Sequence, residues 1–137
     1  AKLSQFTRIK WERARELRKS GAFEEAENEL KEALAQFRIA RRLSPNDLFL
    51  MKQEGFCLYR LKDYKHALEV LGDAFRRDPG DFIVKSTLSK IYTTTDDLEG
   101  YADLLEKVLS EHPHQVKLMG VLKGVQKALH AKKPAGP

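Results

Sequence analysis

Four histidines, one cysteine and 20 carboxylates are the side chains through which this 137-residue chain could do acid–base, nucleophilic or metal chemistry. Their spacing points away from all three. His66, His112, His114 and His130 are scattered, and although His112 and His114 flank Pro113 at a turn, no Cys or carboxylate joins them at metal-ligand spacing. No serine, cysteine or aspartate has the context of a nucleophile elbow or a catalytic cysteine, and there is no glycine-rich phosphate loop. The acidic pairs Glu24 with Glu25 and Asp96 with Asp97 read as helix openings, where negative charge meets the helix dipole. No catalytic residue, metal or cofactor is therefore expected, and the chain is not predicted to be an enzyme.

Charge and aromatic side chains are the more promising chemistry. Lys and Arg number 25 against 20 Asp and Glu, a net charge of +5 that favours acidic partners. Cys57, the single cysteine, rules out an internal disulfide and reads as a small core residue in a reducing, cytoplasmic setting. No run of 18 apolar residues suggests a membrane span. A chain of this length can bury roughly 68% of its unfolded surface in one core.

The elements that must position these side chains are helices. Apolar residues return at steps of three and four, with no strict alternation, so the expected fold is all-α with no strands. A second periodicity overlies the first. Gly55, Ala67, Leu71, Ala74 and Pro79 are answered 34 residues later by Ser89, Tyr101, Leu105, Val108 and Pro113, a spacing typical of stacked helical repeats. One repeat has Pro45 in the first turn of a helix reaching about Leu61, a turn at Lys62 and Asp63, and a helix from Tyr64 to about Arg77, closed by Asp78, Pro79 and Gly80. The next repeat has a helix from about Asp81 to Thr94, a turn at 95–97, and a helix from Leu98 to Glu111 ended by His112 and Pro113.

An earlier repeat keeps Ala14, Leu17, Phe23, Ala26, Leu30 and Ala33, but Pro45 arrives seven residues late: 31 after Ala14, where Pro79 comes 24 after Gly55. Seven residues are nearly two helical turns, so segment 35–41 lengthens a helix with little rotation of its apolar face. Phe37 and Ile39 would then project beyond the repeat, either covered by Leu3 and Phe6 or open as a second interface. Downstream, Val116, Met119, Leu122, Val125 and Leu129 predict one apolar side of a final capping helix over about 116–131, with Lys117, Lys123 and Lys127 elsewhere. The tail, 132–137, is expected to be disordered.

The small residues, the large apolar residue between them and the closing proline resemble the tetratricopeptide repeat family over about residues 7–115. Gly55, Ala67, Leu71, Ala74 and Pro79 match its pattern, as do Ala14, Ala26, Leu30, Ala33 and a displaced Pro45. The resemblance implies a single domain over 1–131, with repeats at about 7–47, 48–81 and 82–115, wound as a right-handed α-solenoid. Two departures stand out. Lys10, Arg13, Met51, Glu54 and Lys85 replace the early aromatic or leucine, and Tyr101 stands where a facing alanine belongs, so that it either opens the last helical pair or is accommodated by Gly100.

In that family the first helix of each repeat lines a concave groove. Helical spacing then projects Arg8, Trp11, Glu12, Arg15, Arg18 and Lys19 into it, followed by Phe49, Lys52, Gln53, Phe56, Tyr59 and Arg60, and by Ile83, Ser86, Thr87, Lys90, Thr93 and Thr94. Seven of these are cationic, four are aromatic and only Glu12 is acidic. Such a trough concentrates an acidic ligand and offers seats for apolar or aromatic anchors. The lysine, asparagine and arginine clamp with which some members hold chaperone C-termini is not reproduced, since Trp11, Arg15, Gln53, Ile83 and Thr87 occupy its places. The expected function is therefore that of an adaptor, scaffold or chaperone-like module binding an acidic or acidic–aromatic polypeptide. The alternative is single-stranded nucleic acid, with the cations on phosphates and the aromatics stacked on bases. Whether the chain acts as a monomer or a homodimer is left open by the sequence.

Overall fold

The structure, a computed structural model, describes residues 5–19 and 21–132. Among them the chain forms helices alone: α1 (Gln5–Lys19), α2 (Phe23–Leu43), α3 (Leu48–Arg60), α4 (Tyr64–Arg77), α5 (Phe82–Thr94), α6 (Leu98–Glu111) and α7 (Val116–Lys132). Helices adjacent in sequence pack on each other, α1 on α2 and α2 on α3, then α5 on α6 and α6 on α7, as in a helical repeat. The chain divides into two compact units, Ala1–Leu71 and Gly72–Pro137, with the boundary inside α4.

Helix starts are written in aspartate. Asp47 accepts from the Leu50 N–H at 3.1 Å, which makes it the N-cap of α3 and starts that helix at Leu48. Pro45, expected inside the first turn, lies instead in the turn before it. Asp81 caps α5 in the same way, accepting from Ile83 and Val84, so α5 begins at Phe82. Asp97 caps α6 through the Gly100 N–H at 3.0 Å.

Helix stops repeat as well. Gly21, Lys62 and Asp96 have positive φ values of 85°, 62° and 52°. In each case the following N–H reaches back to a carbonyl five residues earlier: Ala22 to Leu17, Asp63 to Leu58 and Asp97 to Tyr92. That closure satisfies carbonyls left over at the helix end.

In the first unit the core is Ala14, Ala26, Leu30, Ala33, Phe37, Leu50, Met51, Leu58, Ala67 and Leu71, all at most 1% exposed. A Cβ at position 55 would stand 2.5 Å from Leu71 Cγ, so only glycine lets α3 and the middle of α4 approach this closely. The early-turn polar residues are used in packing. Lys10 reaches Glu32 at 2.7 Å and Glu29 at 3.3 Å, tying α1 to α2, and Glu54 is buried against Arg41.

In the second unit Phe75, Val84, Leu88, Ile91, Leu105 and Val108 are fully buried. Tyr101 is 4% exposed and stacks on Tyr92 at 5.3 Å. Gly100 does not make room for it. A side chain at position 100 would meet the Asp97 carboxylate, with Cγ at 2.9 Å, so the glycine serves the helix cap. Arg76 holds Glu111 with two hydrogen bonds of 2.8 and 3.1 Å, and the Arg76 carbonyl meets His112 Nε2 at 2.6 Å. On α7 Leu118 is buried and Leu122, Val125 and Leu129 are half-buried, whereas Val116 is 73% and Met119 44% exposed, so the predicted apolar side holds from Leu122 onward and fails at the start of the helix. Lys132 belongs to α7 and pairs with Asp96, while 133–137 lie outside the described residues.

Candidate functional site

The extra length of α2 decides what happens to Phe37 and Ile39. They are two residues apart on a helix, so they face different ways. Phe37 is 1% exposed and meets Trp11 edge-to-face at 6.2 Å, which removes it from the accessible surface, whereas Ile39 is 49% exposed. Leu3, and the side chain of Phe6, lie outside the described residues.

Trp11 is where α1, α2 and α3 meet. Phe37 of α2 contacts its ring, and the guanidinium of Arg60, at the end of α3, lies 4.4 Å from the ring centre. Arg18 Nη1 donates to the Arg60 carbonyl at 3.3 Å, so α1 holds the end of α3 from a second point. The Arg60 guanidinium is an arginine among arginines. Its pKa is lowered by burial first, then by the charges of Arg15 and Arg18. Arg60 Nη1 is buried without a hydrogen-bond acceptor. No ion pair within the described residues reaches Arg15, Arg18 or Arg60. A partly desolvated guanidinium with an unused donor, flanked by two exposed like charges, is a poor arrangement for the chain alone and a good one for a carboxylate.

Arg18 and Arg60 also line a cavity of about 540 Å³ with Phe23, Glu24, Glu27, Leu61 and Lys62. The projection from first helices missed these last five. They come from the start of α2 and from the end of α3 and the turn after it, elements that a projection restricted to first-helix faces leaves out.

Other projected residues are distributed less tightly. Arg8 is exposed, and Lys19 is exposed with Glu16 at 3.6 Å. Phe49 is 54% exposed, Lys52, Gln53 and Phe56 are half-buried, and Tyr59 contacts Tyr64 at 6.1 Å. Half-buried Ser86 and exposed Lys90 lie on α5 in the second unit, as does exposed Ile83. Thr87 is buried with its hydroxyl donating to the Ile83 carbonyl, and Thr93 donates to Ser89 in the same way, so both hydroxyls serve their own helix.

Among the groups weighed for catalysis, the His66 and His112 rings have structural partners. His66 Nδ1 sits 2.8 Å from Asp63 Oδ2; burial opposes ionisation of Asp63, but the hydrogen bonds from His66 outweigh it and the Asp63 pKa falls. Cys57 is buried, and desolvation pushes its thiol far above the reactive range. Among the described residues no helix is long and apolar enough to cross a membrane. Compared with known proteins, the chain matches no family model and no curated protein.

Proposed function

We propose that this chain is a non-enzymatic protein-interaction module, and that its first unit binds an acidic or acidic–aromatic polypeptide segment on the α1–α3 face. One observation carries the reading: Arg60 lies over Trp11 within reach of the charges of Arg15 and Arg18, none of the three is ion-paired among the described residues, and an Arg60 nitrogen is buried without an acceptor. A ligand carboxylate there would gain charge-assisted hydrogen bonds of about 1.5–3 kcal/mol each. Exposed Phe49 and half-buried Phe56 on α3 would receive apolar or aromatic side chains.

The resemblance to the tetratricopeptide repeat family supports the same reading, because first helices present the ligand face in that family. The small residues that resemblance rests on, Ala14, Ala26, Ala33, Ala67 and Ala74, are all 0% exposed. The competing nucleic-acid reading asks Trp11 to stack on a base. That ring already carries Arg60 and meets Phe37, which favours the polypeptide.

The test is binding of a fluorescent peptide that alternates Asp or Glu with Phe. Arg15→Glu combined with Arg18→Glu, both at exposed positions, is expected to weaken it at least about tenfold while the chain keeps its helical content and a cooperative melt. Equal affinity of wild type and variant would reject this face. Tighter binding of a single-stranded oligonucleotide than of the peptide, with a steep salt dependence, would instead establish the competing reading.

A further inference from the structure

The seven residues by which α2 exceeds the repeat period bring a second basic site into being, separate from the α1–α3 face. Arg38, Arg41 and Arg42, from the lengthened end of α2, line a cavity of about 350 Å³ with Pro45 and Glu54. Glu54 is 6% exposed, a burial that a carboxylate tolerates only when paired. Arg41 Nη1 meets its Oε2 at 2.5 Å, and Arg38 Nε lies 3.7 Å from Oε1. Glu54 therefore holds two of the three guanidinium groups in place. It does not neutralise them.

Three guanidinium charges against one carboxylate leave two positive charges on the cavity lining. Arg42 is exposed and, among the described residues, makes no ion pair or hydrogen bond to another side chain. Arg41 Nε is buried without an acceptor, so donor capacity remains even on the arginine that Glu54 binds most closely. Arginine forks match the oxygens of a phosphate, and a phosphate monoester carries about −1.5 to −2 charges near neutral pH. Its charge balances the excess. A single carboxylate would leave one positive charge unmatched.

We propose that this cavity is a recognition site for a phosphate monoester, with Arg38 and Arg42 as the contacting groups and Glu54 as the residue that positions Arg38 and Arg41. The dianion is the recognised chemistry, whether it arrives as free phosphate or on a phosphorylated side chain.

Nuclear magnetic resonance titration of the full chain with inorganic phosphate, with a short phosphoserine peptide and with its aspartate counterpart tests this. Saturable shifts confined to the end of α2 and to Glu54 are expected with phosphate and phosphoserine, with the aspartate peptide at least about tenfold weaker. Tighter binding of the phosphoserine peptide than of free phosphate identifies the side-chain source, and the reverse order identifies the free anion. Arg42→Glu, at an exposed position, is expected to abolish the shifts, and Arg38→Gln to weaken them. Arg15→Glu with Arg18→Glu is expected to leave them intact, so failure of the peptide face and failure of this site read out separately. Absence of saturable binding at low salt, equal binding by the Arg42→Glu chain, or equal affinity for the aspartate peptide would each overturn the proposal.

Discussion

The guanidinium of Arg60 lies 4.4 Å from the centre of the Trp11 ring, so the last residue of α3 is fastened to the middle of α1 by a cation on an aromatic face. Cation–π attraction of this kind contributes about 0.5–2 kcal/mol, more as water is excluded. It offsets a cost visible at the same residue, where burial and the neighbouring charges of Arg15 and Arg18 disfavour the charged guanidinium.

That conflict predicts a salt effect on stability. Raising the ionic strength from low salt to about 0.5 M should stabilise the wild type by screening Arg15, Arg18 and Arg60 from one another. Arg60→Met keeps the apolar stem and removes the charge, so its melting temperature is expected to respond less to salt. Parallel slopes for the two proteins, followed by circular dichroism, would show that the cluster carries no net repulsion.

Gly55 predicts a packing effect. Gly55→Ala places a methyl group against Leu71 Cγ and is expected to destabilise the chain by about 1–3 kcal/mol in urea unfolding. Trimming the obstructing side chain by Leu71→Val in the same chain should make the added methyl less costly than it is alone.

Lys62 predicts a gain. Its φ of 62° is a left-handed conformation that costs a side-chain-bearing residue about 1–2 kcal/mol, whereas glycine adopts it freely. After subtracting the greater backbone freedom of glycine in the unfolded chain, Lys62→Gly is expected to stabilise by about 0.5–1 kcal/mol. Thermal melts of the two proteins measure it directly, and a lower melting temperature would contradict the account.

Asp47 predicts a pH dependence. The hydrogen bond from the Leu50 N–H lowers its pKa, so folding favours the ionised carboxylate. The stability this cap contributes is complete above the unfolded-state value and is lost as pH falls through the lower folded-state value. Asp47→Ala should therefore cost about 1 kcal/mol near neutral pH. In acid, below about pH 4, that cost should shrink.

Much of the fold was legible in the residues. The range of α4 follows from Tyr64 and the Asp78–Pro79–Gly80 stop, and that of α6 from Leu98 and the His112–Pro113 stop, because proline and turn residues act on the chain locally. The start of α3 was misplaced, since Pro45 suits a first turn on its own but Asp47 supplies the acceptor that the first N–H groups need. Of the two outcomes open for Tyr101, accommodation by Gly100 fails for a similar reason. Adjacency along the chain suggested one partner, and the position of the Asp97 carboxylate settled on another.

That the chain is helical, roughly where its turns fall, and that cations and aromatics are interspersed along its first helices can all be read from the residues, because these features depend on local periodicity and on single positions. Which of those side chains meet is a property of the packed helices. Trp11 with Arg60, Glu54 with Arg41, and Tyr101 with Tyr92 are contacts between helices. Burial then separates Phe37 from Ile39, two residues apart on one helix. The effect of a charge depends on distance and desolvation, which composition does not contain, so arginines spread along α1, α2 and α3 become two distinct basic clusters only when the helices pack.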